Sequence, residues 1–126
     1  HRGEFCFVIL NLYPYNPGHL MVVPYRHTNV YESLTDSEAL DMHRLTARAT
    51  ALLKREMRPD GFNIGINLGH SAGAGVEGHL HRHIVPRWNG DNNFMPVLAD
   101  TRVLPESMDA TYRKLSAAWN ADWNAD

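Results

Sequence analysis

His79-Leu80-His81-Arg82-His83 sets three imidazoles at alternate positions. In an extended strand, residues i, i+2 and i+4 share a face, so the three rings would stand about 6.6 Å apart. An imidazole can attack phosphorus and carry the transferred group as a phosphoramidate, which divides one hard displacement into two easier steps. Neighbouring imidazoles and backbone amides can hold the phosphoryl oxygens as charge shifts. The ten residues before the motif, 69–78, include four glycines, so backbone amides could approach an anion closely. A second reading is metal: His-x-His on a strand is also good ligand spacing for zinc. Against it, no acidic residue follows the motif closely, Asp91 being eight positions on. The third reading is a polar strand face without chemistry, which three histidines at period two beside a glycine loop argue against.

The surrounding pattern shows what must hold these residues. Glu4 to Leu12 is a β-branched and aromatic run that ends in a turn-rich stretch, Tyr13 to Gly18. His19 to Pro24 follows as a second strand, which suggests a hairpin with a long loop. Thr35-Asp36-Ser37-Glu38 is a capping box, with Leu34 and Ala39 placed for a hydrophobic staple. Leu45, Ala49, Leu52 and Leu53 make one buried stripe, and Pro59-Asp60-Gly61 stops the helix near Met57. Phe62 to Leu68 alternates like a half-buried strand. His79 to Val85 is the next strand, ended by Pro86, and Met95 to Leu104 is a further candidate. Met108, Tyr112, Leu115 and Trp119 suggest a C-terminal amphipathic helix. The repeated Trp-Asn-Ala-Asp at the end reads as a frayed tail. The fold expected is α+β: an antiparallel sheet of about five strands, one long helix and a C-terminal helix. Residues 1–119 form a single domain and 120–126 a tail, and a chain that opens on His1 rather than Met is expected to lack N-terminal residues.

With 126 residues, 44% hydrophobic and 21% charged, the chain supports one modest core. A net charge of −2 lacks the basic footprint of a duplex nucleic-acid binder. No apolar run is long enough to cross a bilayer, so no membrane partner is expected. Cys6 is the only cysteine, which excludes an intrachain disulfide and a multi-cysteine zinc site and fits a reducing, cytoplasmic setting.

The motif at 79–83 resembles that of the histidine triad (HIT) superfamily, and the likeness extends along the chain. Asn11 and Pro17-Gly18-His19-Leu20-Met21-Val22-Val23-Pro24 look like the family's first block, and Asn67-Leu68-Gly69 looks like the opening of its phosphate loop. His83-Ile84-Val85-Pro86-Arg87 with Gly90-Asp91 is similar to the fragile histidine triad branch. With Trp88 to Phe94 included, the pattern looks closest to bacterial diadenosine tetraphosphate phosphorylases.

The resemblance implies His81 as the nucleophile on the α-phosphorus, His83 and His19 in contact with phosphate oxygens, and His79 orienting the neighbouring backbone. It places Asn67 at the phosphate, Asn11 at the ribose, and Ile9 and Leu10 as an apolar wall against the base. Trp88 matches an aromatic position of the phosphorylase-like members, or is a packing tryptophan. The loop 72–76 lacks the family's frequent Gln-Ser or Gln-Thr pair, which leaves the backbone amides of Gly73, Ala74 and Gly75 as phosphate donors. Arg82 replaces an apolar residue but points off the histidine face. His27, His43 and His70 match no catalytic position, though His70 could touch a phosphate chain.

The activity implied is nucleotidyl transfer from an adenine dinucleoside polyphosphate, first of all phosphorolysis of diadenosine tetraphosphate to ATP and ADP. His70, Ser71 and Arg87 are the candidate donors for inorganic phosphate as acceptor, Arg87 being equally placed for a structural ion pair. A hydrolase of dinucleoside polyphosphates or adenosine phosphoramidates is the alternative, ahead of a nucleotide-binding module and a metal-dependent hydrolase. No cofactor is expected for the chemistry, Mg2+ arriving on the substrate, and a homodimer with a joined sheet is implied.

Overall fold

The computed structural model describes residues 1–12, 15–73, 78–91 and 107–125. Four strands form an antiparallel sheet: β1 (Cys6–Leu10), β2 (Leu20–Pro24), β3 (Gly61–Ile66) and β4 (Arg82–Arg87), in the order β1-β2-β4-β3. The further strand expected at Met95 to Leu104 lies outside the described residues. Two helices, α1 (Asp36–Met57) and α2 (Met108–Ala125), pack on one face of the sheet and on each other.

The capping box starts α1 as expected. Thr35 Oγ1 accepts from the Glu38 amide at 3.1 Å, and Glu38 Oε1 accepts from the Thr35 amide at 2.9 Å. Arg26 binds the same carboxylate through Nε and Nη2, and with the cap holds it down at about 2. Met42, Leu45, Ala49, Leu52 and Leu53 line the buried stripe of α1. They meet Cys6, Val8, Leu20, Val22 and Ile84 from the sheet, and Leu115 and Trp119 from α2.

Register decides which residues look the other way. Ile9 pairs with Met21, Met21 with His83, and His83 with Gly65, so one row crosses all four strands on the face away from the helices. Arg82 lies in the alternate row, with Val22 and Ile66, as expected.

Three local expectations are corrected. Pro86 does not end β4, which runs to Arg87. Its carbonyl faces the β2 side and accepts from Asn16 Nδ2; β2 pairing has stopped at Leu20–Ile84, so the missing N–H costs no ladder bond. The buried line of α2 is Thr111, Leu115 and Trp119, an i, i+4, i+8 row, with Tyr112 turned outward. Residues 120–125 continue the helix instead of fraying, and Arg55 reaches Asp122 at 2.8 Å.

Candidate active site

His79 and His81 are not in the strand. β4 begins at Arg82, so of the three only His83 sits on the pleated face, and the row of evenly spaced rings expected from the sequence does not form. The chain turns through Gly78 and His79 before β4 begins.

His81 faces His83 edge-on, with ring centroids 4.7 Å apart. His81 Nδ1 lies 2.9 Å from the His79 carbonyl oxygen. A carbonyl only accepts, so Nδ1 carries a hydrogen, and in the neutral ring Nε2 holds the lone pair. That lone pair has no partner among the described residues.

His83 is held from behind. The Tyr15 amide donates to His19 Nδ1 at 3.1 Å, so the His19 hydrogen is on Nε2, which lies 2.8 Å from His83 Nδ1. His83 Nδ1 therefore accepts, and its hydrogen sits on Nε2. Burial, and the neighbouring His81, pull the His83 pKa below its ordinary value, which favours this neutral form. His19, expected at the phosphate oxygens, is wholly buried behind His83 and braces that ring.

The loop before β2 is shaped for this brace. Gly18 takes φ +80°, and a Cβ there would meet Met57 Sδ at 2.7 Å, so the chain folds tightly enough to bury His19. Asn16 Nδ2 ties the loop to the Pro86 carbonyl at 2.8 Å and to Asp91 Oδ2 at 2.7 Å. Asp91 also takes Arg87 Nε and Nη2 at 2.8 and 2.9 Å and the Trp88 amide at 3.0 Å. The Arg87 contact holds its carboxyl far below the usual carboxylate range. Arg87 binds Asn63 as well, so its guanidinium holds this joint together.

The other expected residues divide. Asn11 lies with its amide nitrogen 3.4 Å from both His19 ring nitrogens, beside the histidines. Asn67 follows Ile66, the residue paired with Arg82, and so continues β3 toward His81. Ile9 shares the row of His83 and is 45% exposed, as a wall for a ligand would be. Leu10 points to the other face and packs against the core, because adjacent strand residues cannot share a face. Gly73 closes the turn 70–72 by donating to the His70 carbonyl, so its amide is engaged there and not offered to phosphate. Ala74 and Gly75 lie outside the described residues. Trp88 is half-buried at the end of β4. His43 is exposed on α1. Among the described residues, no cluster of three or more His, Cys, Asp or Glu is arranged to hold a metal ion.

The brace of His19 on His83 joins residues 64 positions apart, and the sequence places both on one sheet only if the hairpin and β4 pair as they do. A family model of the HIT domain matches residues 2–90. The chain belongs to the HIT domain family. It is 48% identical over 118 residues to the AP-4-A phosphorylase of Mycobacterium tuberculosis (strain H37Rv), covering 94% of this chain. The chain spans 60% of that relative's length. It is 33% identical over 93 residues to a bis(5'-adenosyl)-triphosphatase of Saccharomyces cerevisiae, covering 73% of this chain and 45% of the yeast protein. Among solved structures, a zinc-bound histidine triad family protein of Mycobacterium smegmatis is similar with a TM-score of 0.78 at 28% identity, covering 100% of this chain and 86% of that one. The HIT fold thus accounts for the four-stranded sheet and the two helices on one face.

Proposed function

We propose that this HIT protein transfers a nucleotidyl group from an adenine dinucleoside polyphosphate through a covalent intermediate on His81, with inorganic phosphate as the acceptor. The observation that carries the reading is the fixed tautomer of His81, whose Nδ1–H is bound to the His79 carbonyl. Its Nε2 lone pair attacks the α-phosphorus of diadenosine tetraphosphate, the bond to the bridging oxygen breaks, and ATP leaves. The positive charge that develops on the ring is met by the His79 carbonyl at Nδ1. His83 Nε2–H donates to the departing phosphate oxygens, as a neutral donor fixed by His19. Inorganic phosphate then attacks the same phosphorus, the P–N bond breaks, and ADP is released with His81 restored. Asn11 would hold the ribose and Ile9 the base on the row beside His83, with Asn67 near the phosphate.

Similarity to the mycobacterial phosphorylase over 94% of the chain favours phosphate as acceptor. The commitment of Arg87 to Asp91 and Asn63 favours the second reading, hydrolysis, because it removes one cation that phosphate would need. The exposed turn at His70–Ala72 is the other segment the resemblance offers for it. Product analysis decides: labelled phosphate entering ADP, with ATP as the other product, supports phosphorolysis. Release of AMP and ATP at a rate independent of phosphate assigns water as the acceptor.

We further infer a homodimer, for which the half-exposed Ile64 and Leu68 at the β3 end supply apolar surface. Sedimentation at micromolar concentration tests it, a 14.3 kDa species being the contrary result. Mg2+ enters in this reading with the polyphosphate, and full activity after chelation with substrate-bound Mg2+ restored is the check. We infer a cytoplasmic setting from the buried free thiol of Cys6. Among the described residues, no helix is long and apolar enough to cross a membrane.

A further inference from the structure

His27 stands at the surface, three residues past the end of β2, and no catalytic role attaches to it so far. Its Nδ1 is 3.3 Å from His79 Nδ1, with the ring centroids 5.1 Å apart and the planes at 88°. Two ring nitrogens share a hydrogen bond only when one carries the hydrogen and the other the lone pair. The far side of His79 fixes the assignment. His79 Nε2 lies 2.8 Å from the Pro24 carbonyl oxygen, which only accepts, so Nε2 carries the hydrogen. Neutral His79 therefore offers a lone pair at Nδ1, and His27 must donate to it.

The backbone beside this contact is also tied down. The His27 ring lies against the turn that leads into His79, where a Cβ at Gly78 would be in ordinary van der Waals contact, 3.4 Å from His27 Nε2. On the other side of His79, the Leu80 amide donates to the Thr28 carbonyl at 2.7 Å. The segment 27–28 thus grips the motif on both sides of the residue whose carbonyl holds His81 Nδ1.

We propose that His27 is a positioning residue: by donating to His79 Nδ1 it locks the His79 ring, and with it the carbonyl that keeps the His81 hydrogen on Nδ1. The inference rests on the reading of His81 as the nucleophile. His27 touches no substrate, so its loss slows attack and leaves substrate binding unchanged.

Two substitutions separate this role from packing. His27→Phe keeps a planar ring without a donor, and His27→Asn keeps a donor on a smaller side chain. Single-turnover formation of the His81 adduct with diadenosine tetraphosphate is expected to slow about tenfold in His27→Phe, the scale of one lost hydrogen bond. His27→Asn is expected to restore most of that rate, and KM to stay the same in both. In nitrogen-15 spectra of the protein without nucleotide, His79 shows the Nε2–H form alone in wild type and a mixture of forms in His27→Phe. Adduct formation equally fast in wild type and His27→Phe overturns the inference alone. An equal loss in both variants, with His79 unchanged in the spectra, also overturns it and assigns His27 to packing. No adduct on wild type overturns the nucleophile reading beneath it, while the spectra still report whether His27 sets the His79 tautomer.

Discussion

The two flanks of His81 are supported in opposite ways. On one side His83 is braced by His19, a residue with no exposed surface, whose loop is tied down through Asn16, Asp91 and Arg87. On the other side His79 is held by a backbone carbonyl and by His27, which is exposed. The difference follows from what each flank supplies. In the proposed reaction His83 acts as a neutral donor with its hydrogen on one nitrogen, and burial beside a fixed donor favours that form. His79 supplies a carbonyl, which never titrates, so support at the surface suffices.

Removing His81 takes away the group that both flanks serve and bounds every other effect. His81→Ala is expected to lose turnover by about 10³-fold or more while still binding mononucleotide, read by steady-state kinetics and by titration with AMP. Breaking the buried flank comes next. His19→Phe keeps the ring's bulk but removes the donor to His83 Nδ1, and kcat is expected to fall about 100-fold. A kcat within twofold of wild type would mean that His83 needs no fixed tautomer.

Much of this support was legible in the sequence, and some was not. The capping box, the α1 stripe and four strands are local patterns, each written within about one turn or one pleat of chain. The course of His79 and His81 was not legible, because alternation of histidines looks the same in a strand and in the turn before it. Nor was His27, whose partner lies 52 residues away and whose own neighbourhood reads as a surface loop. Leu10 was misplaced for a simpler reason: a resemblance names adjacent positions together, whereas a pleated strand sends them to opposite faces. Arg87 carried two readings, and only the location of Asp91 and Asn63 separated them.

The two flanks also respond differently to pH. Burial lowers the pKa of His83 in the folded protein, so the unfolded chain binds that proton more readily. The stability contributed by neutral His83 is complete above about pH 6.5 and is lost as pH falls toward the folded value. The melting temperature of wild type is expected to decline across that window more steeply than that of His83→Asn. Equal slopes would contradict the assignment.

The smallest effect is expected far from both flanks. Thr35→Ala removes the cap of α1 and should lower stability by about 1 kcal/mol, read by urea unfolding. Per molecule of folded protein, kcat should be unchanged. A coupled loss of activity would mean that the helix end helps set the histidines.

The central claim is that the nucleotidyl group rests on one ring nitrogen of His81. Acid-sensitive adducts can be trapped by rapid quenching of wild type with diadenosine tetraphosphate under mild alkaline conditions and located by peptide mass spectrometry. The account predicts a single adenylyl adduct on the peptide containing His79, His81 and His83, placed on His81 by fragmentation and absent from His81→Ala. Steady turnover with no adduct at any quench time, or an adduct on His79 or His83, would contradict it.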